Sequence, residues 1–226
     1  MRQIFLDTET TGLYPAQGHR IIEIAAIEMV HRRPTKNHFH VYLNPLRDID
    51  HAAQEVHGIT LDFLQDKPLF EAVAADLTAF VQDAELIIHN APFDVGFLNS
   101  ELSRIGLQPI ETMCGKITDT LKMAKDSRPG QRNNLDALCR HFGIDNSRRT
   151  LHGALLDAEL LAEVYMAMTR GQDSLLIDLA EAEPNVALQI TSSQARNLKL
   201  LKADAIELAA HLDYIKILEK AGAKDW

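Results

Sequence analysis

Apolar positions along this chain follow a period of two first and a period near 3.6 afterwards. Arg2 to Leu6, Arg20 to Val30 and His38 to Leu43 predict three strands, the last alternating cleanly with Phe39, Val41 and Leu43 on one face. Turn residues at Tyr14-Pro15 to Gly18 and at Arg33-Pro34 separate them, so the three can form an antiparallel meander. Leu69, Phe70, Val73, Leu77, Phe80 and Val81 then take helical spacing. Leu86-Ile87-Ile88 predicts a short buried strand, followed by a helix from Phe93 to Ile105 whose end Gly106 marks. A strand at Lys116 to Thr118, a helix from Asn134 to Phe142 stopped by Gly143, and a helix from Gly153 to Met168 complete the series.

Three strands followed by αβαβαα predict an α/β fold of the ribonuclease H-like architecture, a mixed five-stranded sheet flanked by helices. The pattern changes after Arg170. From Gly171 to Ala195 the charged residues are Asp173, Asp178, Glu181 and Glu183, with no Lys or Arg, and Pro184-Asn185 and Thr191-Ser192-Ser193 are linker-like. From Arg196 onward apolar residues return at Leu198, Leu200, Leu201, Ile206, Leu208, Leu212, Ile215, Ile217 and Leu218. The expected organisation is a domain over residues 1–170, an acidic linker over 171–195 and a C-terminal segment over 196–226. That last segment reads either as a docking tail or as a small helical extension of the main domain.

Composition narrows the class. With 226 residues the chain is long enough for one domain with a full core, and 46% hydrophobic with 24% charged residues argues against disorder. No apolar run approaches the ~20 residues of a spanning helix, and Met1 to Leu6 run into Asp7 without a basic and then apolar leader, so a cytoplasmic location is expected. Cys114 and Cys139 are expected as reduced thiols, not as a zinc site or a disulfide framework. The net charge of −9 leaves no overall positive field for phosphates. Affinity for nucleic acid would have to come from metal ions, from a few local contacts, or from a partner that delivers the strand.

Candidate chemistry lies in Asp7-Thr8-Glu9-Thr10-Thr11-Gly12, in His89-Asn90-Ala91-Pro92-Phe93-Asp94, and in His152 with Asp157. Asp7 and Glu9, two apart at the end of the first strand, point to one face and repel each other unless a cation lies between them. Such hard oxygen ligands suit Mg²⁺ or Mn²⁺. Gly12 lets the backbone turn sharply behind them. Asp94 begins a helix behind Pro92, where helix capping is the alternative role, and the preceding strand should bring it towards Asp7. Five residues on one helix set side chains roughly 140° apart, so His152 and Asp157 can converge only if His152 belongs to the loop before Gly153. Asp157 would then project from the second turn. The assembled site suggests two metal ions, one held chiefly by Asp7, Glu9 and Asp157, the other by Asp7 with a substrate phosphate, and Asp94 acting partly through water. His152 would be the general base, and activity should rise with pH through the neutral-to-alkaline range.

These motifs resemble those of the DEDDh group of 3′–5′ exonucleases. Gln54-Glu55-Val56-His57-Gly58-Ile59, Asn134 to Cys139 and Arg149 to Ala158 are similar, within that group, to the proofreading subunits of bacterial replicative DNA polymerases. The resemblance implies removal of mispaired nucleotides from a DNA 3′ end as nucleoside monophosphates, with two divalent ions, Mg²⁺ or Mn²⁺. It implies Asp7, Glu9, Asp94, His152 and Asp157 as catalytic, and Asp7, Glu9, Asp94 and Asp157 as metal ligands. Asp7, Glu9, Thr10, Gly12, Leu13, His57, Phe93 and Asp157 would meet the substrate. His57 fits a capped turn before Gly58 equally well, core packing equally describes Leu13 and Phe93, and Ala52 stands where relatives often carry a glutamate. Gln172, Leu175 and Ile177 resemble a sliding-clamp-binding peptide over residues 172–177, with Ile177 where an aromatic residue is often found. Residues 196–226 are similar to a segment that binds the polymerase catalytic subunit. Tethering of that kind would remove the need for a basic surface. Two rival readings share the motifs: an RNA-trimming exonuclease of the same group, and a mainly structural subunit bridging polymerase and clamp.

Overall fold

The five expected strands pair into one sheet of order β3-β2-β1-β4-β5, comprising β1 (Arg2–Thr10), β2 (Ile21–Val30), β3 (Arg33–Tyr42), β4 (Glu85–Ile88) and β5 (Lys116–Asp119). The computed structural model describes residues 1–149, 151–170 and 204–220. β1 to β3 form the antiparallel meander, and β4 and β5 run parallel to β1. Helices α1 (His51–His57), α2 (Leu61–Leu64), α3 (Phe70–Val81) and α4 (Ala91–Arg104) precede β5. Helices α5 (Thr120–Ser127), α6 (Leu135–Phe142) and α7 (Ala154–Met168) follow it.

Alternation along β1 explains why both faces of the sheet are covered. Ile4 and Leu6 join Ile24, Leu77, Leu86, Phe97 and Leu102 in one core, whereas Phe5 turns the other way to meet Ile87, Leu138, Leu160, Leu161 and Val164. Each such fully buried side chain contributes roughly 1.5–3 kcal/mol. The Phe5 face continues through Asp7 and Glu9, so the acidic pair extends the apolar row that packs on α6 and α7. A bidentate pair from Arg20 to Glu101, at 2.6 and 2.7 Å, ties the start of β2 to α4.

The structure departs from the sequence reading in four places. The strand expected over Arg2 to Leu6 runs on to Thr10, so Asp7 and Glu9, read as standing at its end, are both paired within it. β3 begins at Arg33 and includes Pro34, which an edge strand tolerates. Helices α1 and α2, and α5 behind β5, were not expected; α5 is capped by Asp119, whose side chain accepts from the amides of Leu121 and Lys122. Asp157 lies in the first turn of α7 rather than the second.

The C-terminal unit is described only over its helix α8 (Ala205–Lys220) and the Asp204 before it. Asp204 caps this helix reciprocally with Glu207: its carboxylate accepts from Ile206 N and Glu207 N at 2.8 Å, and its own amide donates to Glu207 Oε2 at 3.0 Å. Ile206, Leu208 and Leu212 are exposed on it. The linker 171–195 and the 172–177 peptide, with Gln172, Leu175 and Ile177, lie outside the described residues. No helix among the described residues is long and apolar enough to cross a membrane. Cys114 and Cys139 are free thiols.

Candidate active site

One cavity of about 520 Å³ is lined by Asp7, Glu9, Asp94, His152 and Asp157 together. Three structural elements deliver them. β1 supplies Asp7 and Glu9 by its period of two. The parallel register that sets Phe5 beside Ile87 brings the chain leaving β4 alongside Asp7. There Asn90 turns the backbone at φ 71°, a left-handed position asparagine accepts, and opens α4 with Asp94 in its first turn. Asp94 is not the cap of α4; it accepts a 2.7 Å hydrogen bond from the Thr8 hydroxyl. From the other side His152 sits in the loop before α7, as its spacing requires, and its amide donates to Val56 O at 3.1 Å. The ligand atoms of Glu9, His152 and Asp157 all lie within 4.8 Å of one another.

The charges are unevenly balanced. Withdrawal from water, followed by repulsion from Asp94, Glu9 and Asp157, holds the Asp7 carboxyl well above the usual carboxylate range. Burial and then Glu23, its partner across the β1–β2 ladder, push Glu9 up to about 8. Asp94 is raised by burial, against the opposing pull of Thr8. Burial would raise Asp157 as well, but hydrogen bonds and charge from Arg149 and His152 together outweigh it and hold its carboxyl below the usual range. Three carboxyls that would sooner keep their protons, all oxygen donors around one cavity, fit a divalent cation, which supplies the positive charge the fold leaves out.

A second cavity of about 380 Å³ adjoins the first across Thr8, Glu9, Leu13 and Phe93 and takes in Thr10, Gly12, Ala52 and His57. Leu13 is 66% exposed, so core packing does not account for it. Phe93 packs on Phe97 with ring centroids 5.0 Å apart and serves the core as well as the cavity wall. The Thr10 hydroxyl donates to Gly12 O at 2.7 Å, which commits its proton to the turn. Gly12 is required for another reason than expected: a Cβ there would lie 2.3 Å from the ring of His19. His57 is held in the turn around Gly58 and also lines this cavity. Its Nδ1 accepts from Ile59 N at 3.0 Å in the turn after α1, and its buried Nε2 has no hydrogen-bond partner.

Two groups at the site escaped the sequence reading. Glu23 reads as one more strand residue, yet it is 2% exposed, binds His40 Nε2 at 2.7 Å and accepts from Ala154 N at 3.1 Å, fixing the start of α7 behind His152. Arg149 donates to both oxygens of Asp157. A glutamate facing Glu9 in the predicted meander was a readable signal for the first. An arginine eight positions before an aspartate across a loop carries no such signal.

A family model described as Exonuclease matches residues 4–165. The chain is 52% identical to the DNA polymerase III subunit epsilon of Pasteurella multocida (strain Pm70), over 97% of this chain and 90% of that one. Among solved structures, Exonuclease X in complex with 5′ overhanging duplex DNA is similar, with a TM-score of 0.58 and 26% identity over 74% of this chain and 90% of that one. The nuclease domain of 3′hExo, a DEDDh family member bound to rAMP, shares the fold with a TM-score of 0.64 and 20% identity, over 76% of this chain and 92% of that one.

Proposed function

The chain belongs to the exonuclease family, among the DNA polymerase III epsilon subunits, and from that premise we propose how its residues remove a nucleotide from a DNA 3′ end. It is a metal-dependent 3′–5′ exonuclease that proofreads for a replicative DNA polymerase. The observation that carries the assignment of residues is the convergence of Asp7, Glu9, Asp94, His152 and Asp157 on one cavity.

Asp7, Glu9 and Asp157 would hold one divalent ion, Mg²⁺ or Mn²⁺, and Asp7 would contribute to holding a second near the substrate phosphate, with Asp94 acting through water. The chemistry such ions would supply is acidification of the attacking water and neutralisation of charge on the phosphate. His152, 46% exposed at the cavity mouth, takes the proton from that water. The terminal nucleoside lies in the adjoining cavity between Leu13 and Phe93, where apolar contact holds a single strand without reading its sequence. His57 backs this cavity beside Ala52 and Ala53, and the backbone at Thr10 and Gly12 closes the far wall.

Residues 1–170 are the nuclease, 171–195 a linker whose 172–177 segment engages the sliding clamp through Gln172, Leu175 and Ile177, and 196–226 the segment that docks on the polymerase catalytic subunit. The exposed Ile206, Leu208 and Leu212 of α8 support docking, and tethering offsets the acidic net charge by raising the local concentration at the primer end.

Release of mononucleotides from a 3′-labelled single-stranded DNA, with Mg²⁺ or Mn²⁺, beside the same sequence in RNA and beside Asp7→Ala, tests the reading. Metal-dependent release that is faster from DNA and lost in the variant is the expected result. Faster release from RNA would transfer the substrate to RNA, and unchanged release by Asp7→Ala would overturn the site.

A further inference from the structure

Arg149 takes no part in the reaction described above, yet its guanidinium is the one cation hydrogen-bonded to the catalytic carboxylates among the described residues. Its side chain is 6% exposed and that of Asp157 4%. Nε and Nη2 donate to the two oxygens of Asp157 at 2.5 and 2.6 Å. Nη2 also reaches His152 Nδ1 at 2.7 Å, and Nη1 lies 2.8 Å from Asp136 Oδ1. One planar fork therefore engages both oxygens of Asp157 and the Nδ1 lone pair of the base. A cation fixed in this way stands against the space enclosed by Glu9, His152 and Asp157, where a divalent ion would have to sit. Two cations sharing that space repel each other, and little water reaches Arg149 to screen them.

We propose that Arg149 is the internal counter-ion of the metal site: it holds Asp157 and His152 in the metal-free enzyme and competes with the divalent cation for Asp157. Asp136, 39% exposed and on the far side of the guanidinium, keeps Arg149 at the cavity wall when the cation takes Asp157 over. The arrangement keeps a crowded group of carboxylates from repelling itself apart before metal arrives. Its consequence is weaker metal binding than the four carboxylates alone would give, and a base whose Nδ1 is free only once the metal is in place. Arg149 is thus a positioning residue that acts through Asp157. The proposal rests on the assignment of Asp157 as a metal ligand.

The test is calorimetric titration of the full-length chain with Mn²⁺, for the wild type, Arg149→Gln, Arg149→Lys and Asp157→Asn, together with thermal unfolding with and without Mn²⁺. Arg149→Gln should bind Mn²⁺ about tenfold more tightly, because the metal no longer has to break a buried ion pair. Its metal-free Tm should fall, and saturating Mn²⁺ should restore it towards the wild-type value. Unchanged or weaker Mn²⁺ binding by Arg149→Gln would overturn the proposal. If that variant unfolds without metal, Arg149→Lys decides, since it keeps the charge but loses the fork: tighter binding supports competition, equal or weaker binding overturns it. Wild-type affinity in Asp157→Asn would remove Asp157 from the metal site and overturn the proposal together with that assignment, an outcome distinguishable from the failure of Arg149 alone.

Discussion

Asp7 and Glu9 stand on the central strand with no hydrogen bond from a basic side chain among the described residues, whereas Asp157 faces them from α7 in the grip of Arg149. The strand wall of the cavity is held by the ladder to β2 along its whole length and by the ladder to β4 up to Phe5, just before Asp7, and Glu9 lies directly opposite a further carboxylate at Glu23. The helix wall is held by a loop, by one backbone bond to Val56, by the bond from Ala154 N to Glu23 and by a salt-bridge cluster. Rigid pairing lets the strand keep charges that repel one another. The loop has no such support, and its carboxylate is neutralised locally. The difference teaches where metal would matter most under the proposed assignment: it would complete the strand wall and replace an existing partner on the helix wall.

The largest effect should come from the strand wall. Asp7→Asn should lower kcat roughly 10⁴-fold, about 5.5 kcal/mol in the transition state, while raising the metal-free Tm, because it removes a carboxylate that burial and three neighbours destabilise. Single-turnover cleavage and a thermal melt on one preparation check both. A parallel fall in activity and Tm would mean that Asp7 is structural. On the helix wall, His152→Ala should cost roughly 10²–10³-fold, in the range of a positioned general base, and should flatten the rise of the chemical step with pH. An unaltered pH profile in the variant would assign the proton transfer elsewhere.

The two walls should also answer pH in opposite directions. Glu9 is raised from 4.5 to about 8, and a carboxyl whose folded value lies above its unfolded one destabilises the fold at high pH. As pH falls from about 8 towards 4.5, the folded chain takes up the proton first and gains stability, on the order of 5 kcal/mol. Asp157 is lowered, so its stabilisation is present above its unfolded value of 3.8 and is lost as pH falls below it. The metal-free protein should therefore melt higher near pH 6 than near pH 8.5, Glu9→Gln should shrink that difference, and saturating Mn²⁺, which favours the deprotonated carboxylates, should oppose it. A pH dependence identical in wild type and Glu9→Gln would place its origin in other groups.

The same contrast explains how much was legible in the sequence. The strand wall was readable because Asp7-x-Glu9 needs only a period of two, and the β4–α4 entry because Asn90-Ala91-Pro92 marks a helix start. His152 was placed in its loop by helical geometry alone. Arg149 was not readable, since its partners come from α6 and α7 and meet only after the loop closes. Nor was α1: His51–His57 holds one large apolar residue, Val56, which is itself 44% exposed, so no apolar stripe announces the helix. The sequence marks Gly12 only as a flexible turn position, but the constraint comes from His19, seven positions away, whose ring occupies the space. Contacts across the loop ends leave no period to read.

The smallest effect belongs to the rim shared by the two cavities. Leu13 follows the turn after β1, is 66% exposed and belongs to neither core cluster, so the fold has no use for its side chain. If it packs on the terminal nucleoside, Leu13→Ala should raise KM for single-stranded DNA by roughly tenfold, the value of about 1.5 kcal/mol of apolar contact, and leave both kcat and Tm unchanged. Phe93→Ala supplies the contrast, because that ring also rests on Phe97 and its loss should lower Tm as well. A fall in kcat for Leu13→Ala matching the change in KM would mean that Leu13 aligns the scissile phosphate with the strand wall. The rim would then belong to the catalytic apparatus and would do more than hold the strand.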